Sequence, residues 1–155
     1  MKYAAEFPAR VTKLGLSTAP IKGPVTKAWL EIIESRGVQA WASETMPGRF
    51  GTALPPDAIA WWTELMARTP KTTLQSYLRW VPGVDITADV PRIQCPTLVV
   101  TGDNGPLHKV DETAGWQKTI PHSELRVIQG DGWHAGGAKP DECAAMTLEF
   151  FRRGE

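Results

Sequence analysis

The chain has 155 residues, and its 17 lysine and arginine side chains balance its 17 aspartates and glutamates. This length suits one compact domain with its own core, and the lack of a basic cluster argues against nucleic acid or an anionic membrane surface as the main partner. No apolar run reaches the roughly 20 residues that a membrane span needs, and no signal peptide is predicted, so a cytoplasmic location is the default expectation.

The first part of the chain is predicted to be mainly helical. A short N-terminal helix should break near Pro8, because proline disrupts the preceding turn, and a strand is predicted over residues 11–19. Apolar residues at helical spacing predict a helix over residues 23–37, which ends on a glycine. A second helix is predicted over residues 55–69, with Ile59, Trp62, Leu65 and Met66 on one face, and a third from a Thr69-Pro70 cap.

The pattern changes after residue 91. A nearly continuous apolar run over residues 95–102 predicts a strand that is covered on both faces, as in a parallel sheet. A helix around residue 115, a second strand over 123–130 and a final helix after Lys139 complete a strand–helix–strand–helix order. Ligands of such sheets bind at the carboxyl ends of the strands, which here are "TGDNG" and "GDGWHAGG".

The two cysteines, Cys95 and Cys143, lie far apart in the sequence and lack metal-ligand spacing. We predict that both are buried free thiols.

The segment from "IQCPTLVVTGDNG" to "GDGWHAGGAKPDECAAMTLEFF" resembles the C-terminal third of α/β-hydrolase-fold enzymes. The segment "AWWTELMARTPKTTLQSYL" is similar to the cap of the branch that contains 3-oxoadipate enol-lactonases and related esterases. The resemblance implies a partial α/β-hydrolase fold with about three parallel strands, flanking helices and a helical cap. The hydrolase core would comprise residues 1–22 and 89–155, and the cap residues 23–88.

The resemblance places His134 where the family has its catalytic histidine, in the loop after the last strand. An imidazole titrates near neutrality, so it can take a proton from a hydroxyl and return it to a leaving group. The family's usual acid position is occupied by Gly105. Asp103 is the nearest carboxylate and the candidate acid, although it could equally serve the turn, and Asp111 is the alternative. His108 and His122 are expected at the surface.

The sequence offers no convincing nucleophile. The family carries it on a G-x-S-x-G turn between a strand and a helix, and "GLSTA" around Ser17 is the only near match, but Pro20 follows at once. We therefore expect that the nucleophile comes from a preceding segment or from a separate N-terminal-half partner, or that two copies of the chain associate.

Two functions are compatible with these features. The chain could supply the base, the acid and the cap of a carboxylic ester or lactone hydrolase, with no metal or organic cofactor implied. A small-molecule acyl substrate would then contact the tryptophans of the cap and of the His134 loop, namely Trp41, Trp61, Trp62, Trp80 and Trp133. Alternatively, the chain is a non-catalytic, incomplete hydrolase-like domain that acts as an assembly or binding module.

Overall fold

The computed structural model describes residues 1–51, 54–105, 109–130, 132 and 134–154. These residues form three strands, seven α-helices and three 3₁₀ turns. The strands are β1 (Leu14–Ser17), β2 (Thr97–Gly102) and β3 (Ser123–Ile128). The helices are α1 (Lys2–Glu6), α2 (Lys27–Phe50), α3 (Pro56–Ala67), α4 (Lys71–Trp80), α5 (Val110–Gln117), α6 (Ala135–Ala138) and α7 (Pro140–Arg152), and the 3₁₀ turns are Pro8–Arg10, Val81–Gly83 and Val90–Arg92.

The strands form one parallel sheet in the order β1-β2-β3. Leu14 pairs with Thr97, which in turn pairs with Ser123, so the three strands start at the same level. Every residue of the central strand β2 is buried. Since parallel strands share a direction, their carboxyl ends lie at one edge of the sheet, and this edge carries Asp103 and the loop after Ile128.

Both faces of the sheet are covered, which explains the continuous apolar run of β2. Val99 packs on one face in a cluster that includes Val90 of the third 3₁₀ turn and Trp116 of α5. The neighbouring residues Leu98 and Val100 pack on the other face, against α7. The alternation follows from the two-residue period of a strand and confirms the predicted partial α/β-hydrolase fold at the level of the sheet.

Helices α2, α3 and α4 form a separate helical layer with its own core, which includes Ile33, Trp41, Leu74 and Leu78. A second cluster joins this layer to the short helix α6, through Phe50 at the end of α2 and Ala138. The helical layer therefore meets the sheet at the segment that follows β3.

Most predicted elements are confirmed, but three differ. Gly37, where the first helix was predicted to end, has non-helical angles (φ 88°, ψ 175°), and a second helical stretch that was not predicted follows it directly, so that α2 comprises two helical stretches on either side of a kink. Leu65, predicted on the buried face of α3, is largely exposed. Thr69 does not cap α4, whose N-cap is Pro70; its hydroxyl lies 3.9 Å from the Met66 sulfur.

Both cysteines are buried and free, as predicted. In the part of the chain that the structure describes, none of the helices is long and apolar enough to span a bilayer.

Replacement of Leu98 by alanine should lower the free energy of unfolding by about 2–5 kcal/mol, because this side chain is 1% exposed at the centre of the sheet and its removal leaves a cavity. Leu148→Ala is the matched control: this leucine is 51% exposed on α7, so its loss should change stability by less than about 0.5 kcal/mol. Chemical denaturation of both variants measures the difference, and equal losses would contradict the assignment of the core.

Candidate active site

The carboxyl ends of β2 and β3 are joined by Asp103. Its backbone N–H donates to the Ile128 carbonyl (3.1 Å), and its carboxylate oxygen Oδ1 accepts the Gly130 backbone N–H (2.7 Å). Gly130 has φ 71°, a left-handed conformation that glycine adopts without strain. The exposed Asp103 side chain therefore stabilises the turn in which the chain leaves the sheet after β3.

His134 lies between this turn and α6. Its backbone N–H donates to the carbonyl of Arg49 (3.0 Å), and its own carbonyl accepts the N–H groups of Gly137 and Ala138 in the first turn of α6. The imidazole is half-buried and stacks on the Phe50 ring, with the centroids 5.7 Å apart. The last turn of α2 therefore holds both the backbone and the ring of the candidate base.

Two glycines allow this close approach. A Cβ at Gly132 would lie 2.3 Å from the Arg49 carbonyl oxygen, and a Cβ at Gly137 would lie 2.8 Å from the Phe50 ring. Any side chain at Gly132 would have to displace backbone. The glycine-rich sequence around His134 thus allows the loop to pack against the end of α2.

The surroundings of His134 favour its neutral form. Burial lowers the pKa of the imidazole from its usual value near 6.5, and the positive charge of Arg49 lowers it further. A neutral imidazole has a free lone pair and can accept a proton, as a general base must.

The structure places Asp103 and His134 at the same edge of the sheet but does not pair them. Among the described residues, no hydrogen bond or ion pair joins the Asp103 carboxylate to the His134 ring. The alternative acid, Asp111, lies in the first turn of α5 and is exposed. The role of either carboxylate as the acid stays a prediction.

Ser17 also reaches this edge. Its hydroxyl lies 3.7 Å from the buried sulfur of Cys143 and would be 3.9 Å from a Cβ at Gly136, just after His134. Thr18 follows with φ 49°, a strained conformation for a β-branched residue. The strand therefore turns away at once and does not enter a helix, unlike the nucleophile turn of the resembled fold.

A largely apolar cavity of about 460 Å³ lies within the helical layer and beside the loop after β1, with Arg49 in its wall. Its volume falls in the range typical of small-molecule sites. Its lining comprises Pro20, Pro24, Trp29, Trp41, Arg49, Met66, Thr69, Thr73, Leu74, Tyr77, Leu78 and Val81. Arg49 links the cavity to the candidate base, because its carbonyl accepts the His134 N–H, but His134 itself is not in the lining.

The tryptophans selected from the sequence occupy different positions. Trp41 is buried in the cavity wall, and Trp62 packs on Phe50 at a centroid distance of 5.3 Å. Trp61 and Trp80 are 57% and 65% exposed and do not line the cavity. Trp133, like His108, lies outside the described residues, while His122 is exposed as expected.

Sequence reasoning missed Arg49 and Trp29, which also line the cavity. Arg49 falls in a stretch without predicted structure, so nothing in its local pattern placed it near His134. Trp29 is one of the apolar residues whose spacing predicted the helix over residues 23–37, and that spacing did not indicate a cavity. Among the described residues, no group of three or more histidine, cysteine, aspartate or glutamate side chains could hold a metal ion.

Gly132→Ala should destabilise the fold by about 1–3 kcal/mol, because the new Cβ would collide with the Arg49 carbonyl. Gly115→Ala is the control: nothing lies within 4 Å of a Cβ at this helical position, so alanine should be neutral or stabilising by up to about 1 kcal/mol. Chemical denaturation measures the free energy of unfolding of both variants. The NMR resonance of the His134 amide should shift in Gly132→Ala and not in Gly115→Ala. Equal stability of the two variants would rule out the close approach.

The His134 pKa should be below 6.5 in an NMR titration of the folded chain, with the resonance assigned through His134→Gln. At a pH between the folded pKa and about 6.5, the unfolded chain binds more protons than the folded chain. The free energy of unfolding should therefore fall as the pH decreases from about 6.5 through the folded pKa. Arg49→Met should raise this pKa, because it removes a positive charge, whereas Arg36→Met should not, since Arg36 is exposed and pairs with Glu44. A folded His134 pKa at or above 6.5 would contradict the described environment.

No protein-family model matches the chain. A putative non-heme chloroperoxidase of Synechocystis is 29% identical over 104 residues, which are 66% of this chain and 37% of that protein. The chain thus spans well under half the length of this curated relative.

Solved structures cover nearly the whole chain. The enol-lactonase from Burkholderia xenovorans LB400 superposes with a TM-score of 0.86 at 16% identity, over 96% of this chain and 59% of that chain. A thermophilic esterase from Thermogutta terrifontis gives 0.83 at 20% identity, over 97% and 59%. A bromoperoxidase from Bacillus anthracis gives 0.79 at 17% identity, over 92% and 59%. The chain has a partial α/β-hydrolase fold and spans about three fifths of these structures.

Proposed function

We propose that this chain forms part of a hydrolase that cleaves carboxylic esters or lactones, with His134 as the general base. The observation that carries the proposal is the position of His134, a half-buried imidazole at the carboxyl edge of the sheet whose neutral form is favoured. Its backbone N–H donates to Arg49, a residue that also lines the apolar cavity. The names of the enol-lactonase and esterase with the same fold support the reaction class.

In this mechanism, a hydroxyl nucleophile attacks the ester carbonyl while the His134 imidazole takes its proton. The tetrahedral intermediate then expels the alcohol, which receives that proton from the imidazolium. Water attacks the resulting acyl-enzyme in a second cycle of the same proton transfers and releases the carboxylic acid. His134 is the only group of this chain that the scheme requires to change its protonation state.

We assign the acid to Asp103, with Asp111 as the alternative. Its bond to the Gly130 N–H supports the assignment, because it holds the carboxylate beside the loop that carries His134. In this role Asp103 would orient the imidazole and stabilise its charged form. The same bond also supports a purely structural turn, which an Asp103→Asn exchange would largely preserve.

The nucleophile is proposed to come from a segment other than the described residues. Ser17 lies at the correct edge, but its hydroxyl faces Cys143 and its strand does not open a helix. An N-terminal-half partner or a second copy of the chain could dock beside β1, which in the described sheet pairs with β2 alone. The exposed Phe151 of α7, whose ring would be 3.2 Å from a Cβ at Gly15 of β1, would be covered by such a partner.

The helical layer corresponds to the proposed cap (residues 23–88), and the remaining residues form the proposed core. The cavity in this layer would take the acyl group of the substrate. Trp41 fits that role because it lines the cavity, and Trp62 lies close to it through Phe50. The exposed Trp61 and Trp80 would contact a substrate only at the entrance or a partner at the surface.

The alternative function, a non-catalytic assembly module, is favoured by the open edge of β1 and the exposed Phe151 beside it. An unpaired strand edge is a template for pairing with another chain. Sedimentation of the purified chain shows whether it self-associates. A monomer that unfolds cooperatively would count against a sheet that needs a second copy of the chain.

In the isolated chain, water can replace the external nucleophile, with the His134 imidazole as its general base. The purified chain should therefore hydrolyse the activated ester p-nitrophenyl acetate, and His134→Ala should lower the rate roughly 10²-fold, the low end of what a positioned general base contributes. His122→Ala is the matched control, because this histidine is exposed and lies at the amino ends of the strands, where its carbonyl accepts the Thr97 N–H (2.8 Å). Equal rates for the wild-type chain and His134→Ala would dismiss the proposal for the isolated chain. An equally large loss in Ser17→Ala would move the nucleophile into this chain and contradict its external origin.

A further inference from the structure

The aromatic ring of Phe50 is tightly enclosed at the end of α2. The side chain is 1% exposed and belongs to a cluster with Met46 and Ala138. The Trp62 ring packs on it at a centroid distance of 5.3 Å, and a Cβ at Gly137 would lie 2.8 Å from it. A ring packed this closely keeps one rotamer, because other rotamers would collide with its neighbours.

The contact between Phe50 and His134 is a nearly parallel stack. The two rings are inclined by 24°, with their centroids 5.7 Å apart. The stack covers part of one face of the half-buried imidazole. The lone pair of an imidazole nitrogen lies in the plane of the ring, so a ring on one face leaves the atom that accepts a proton accessible in that plane.

The last two residues of α2 constrain different parts of His134. The Arg49 carbonyl accepts the backbone N–H of His134 (3.0 Å), whereas Phe50 contacts the imidazole. The χ2 torsion of a histidine is intrinsically broad, so the plane of its ring needs further contacts to be well defined. A fixed ring on one face narrows this torsion, whichever groups the two imidazole nitrogens bind.

We propose that Phe50 is a positioning residue that holds the plane of the His134 imidazole, with Trp62 as its support in the helical layer. The inference rests on the proposed function for its consequence. A general base takes a proton only when its nitrogen is within hydrogen-bond reach of the reacting hydroxyl or water, so an imidazole that tilts loses rate. Phe50 and Trp62 then act through His134 and need no contact with the substrate.

NMR relaxation of the His134 ring C–H groups in the full chain tests the proposal without any substrate. In Phe50→Leu, which keeps an apolar side chain but removes the stacked ring, the order parameter of these groups should decrease. Phe150→Leu is the matched control and should leave it unchanged, because Phe150 is a buried ring at the amino ends of the strands, beside Thr97. An unchanged order parameter in Phe50→Leu, or an equal decrease in both variants, would overturn the proposal.

The pH profile of p-nitrophenyl acetate hydrolysis is a second readout. Phe50→Leu should lower the plateau of the rate above the His134 pKa roughly tenfold, which is part of the roughly 10²-fold contribution of a positioned base. Phe150→Leu should keep the wild-type plateau. If Phe50 only buried the imidazole, Phe50→Leu would raise the pKa that governs the profile and leave the plateau unchanged, and this result would overturn the positioning role.

If Phe50→Leu does not fold, the wild-type chain decides. We expect nuclear Overhauser effects between the ring protons of Phe50 and His134, because the rings stack. The order parameter of the His134 ring should exceed that of His122, whose side chain is exposed. Missing Overhauser effects, or equal order parameters for the two histidines, would contradict the proposal.

The same measurements separate this inference from the proposed function. Order of the His134 ring that depends on Phe50, in a chain without esterase activity, would support the positioning role and count against the hydrolase. Esterase activity that depends on His134, with the plateau and the order parameter both unchanged in Phe50→Leu, would support the hydrolase and overturn the positioning role.

Discussion

The contact between the end of α2 and the loop after β3 determines the arrangement of this molecule. The His134 N–H donates to the Arg49 carbonyl, and Gly132 packs so closely on the same peptide that no Cβ fits. The Phe50 cluster joins the same helix end to α6. One helix end therefore supplies the support of the candidate base, the neighbouring positive charge and part of the cavity wall.

This arrangement has an electrostatic consequence. Burial of the imidazole and the Arg49 charge both disfavour protonation of His134, whereas a catalytic carboxylate beside the ring would favour it. The Asp103 carboxylate is instead occupied by the Gly130 N–H. The described site is therefore suited to accept a proton, but it offers less stabilisation of the resulting imidazolium than a complete triad would.

The sequence predicted the parts of the fold that have strong local signals. The apolar run of β2, the loop that carries His134 and the final helix α7 were all identified from residue types and spacing. The helix end at Gly37 was also identified, but the helical stretch that follows it to Phe50, with Pro47 inside it, was missed. Arg49 was missed with it, since the tertiary contact that gives Arg49 its position joins residues that are 85 positions apart and leaves no local trace.

The exposed side of β1 bears on whether the described residues can function alone. A strand of four residues, paired on one side in the described sheet, leaves backbone groups available for a neighbour. Ser17 at its tip lies near Gly136, so a strand added beside β1 would end close to the loop of His134. Since parallel neighbours place their carboxyl ends at the same edge, a residue that follows such a strand would lie at the edge of the sheet that carries the His134 loop. The geometry that makes β1 a candidate interface is therefore the same geometry that would complete the reaction centre, and assembly and catalysis need not be competing functions of this chain.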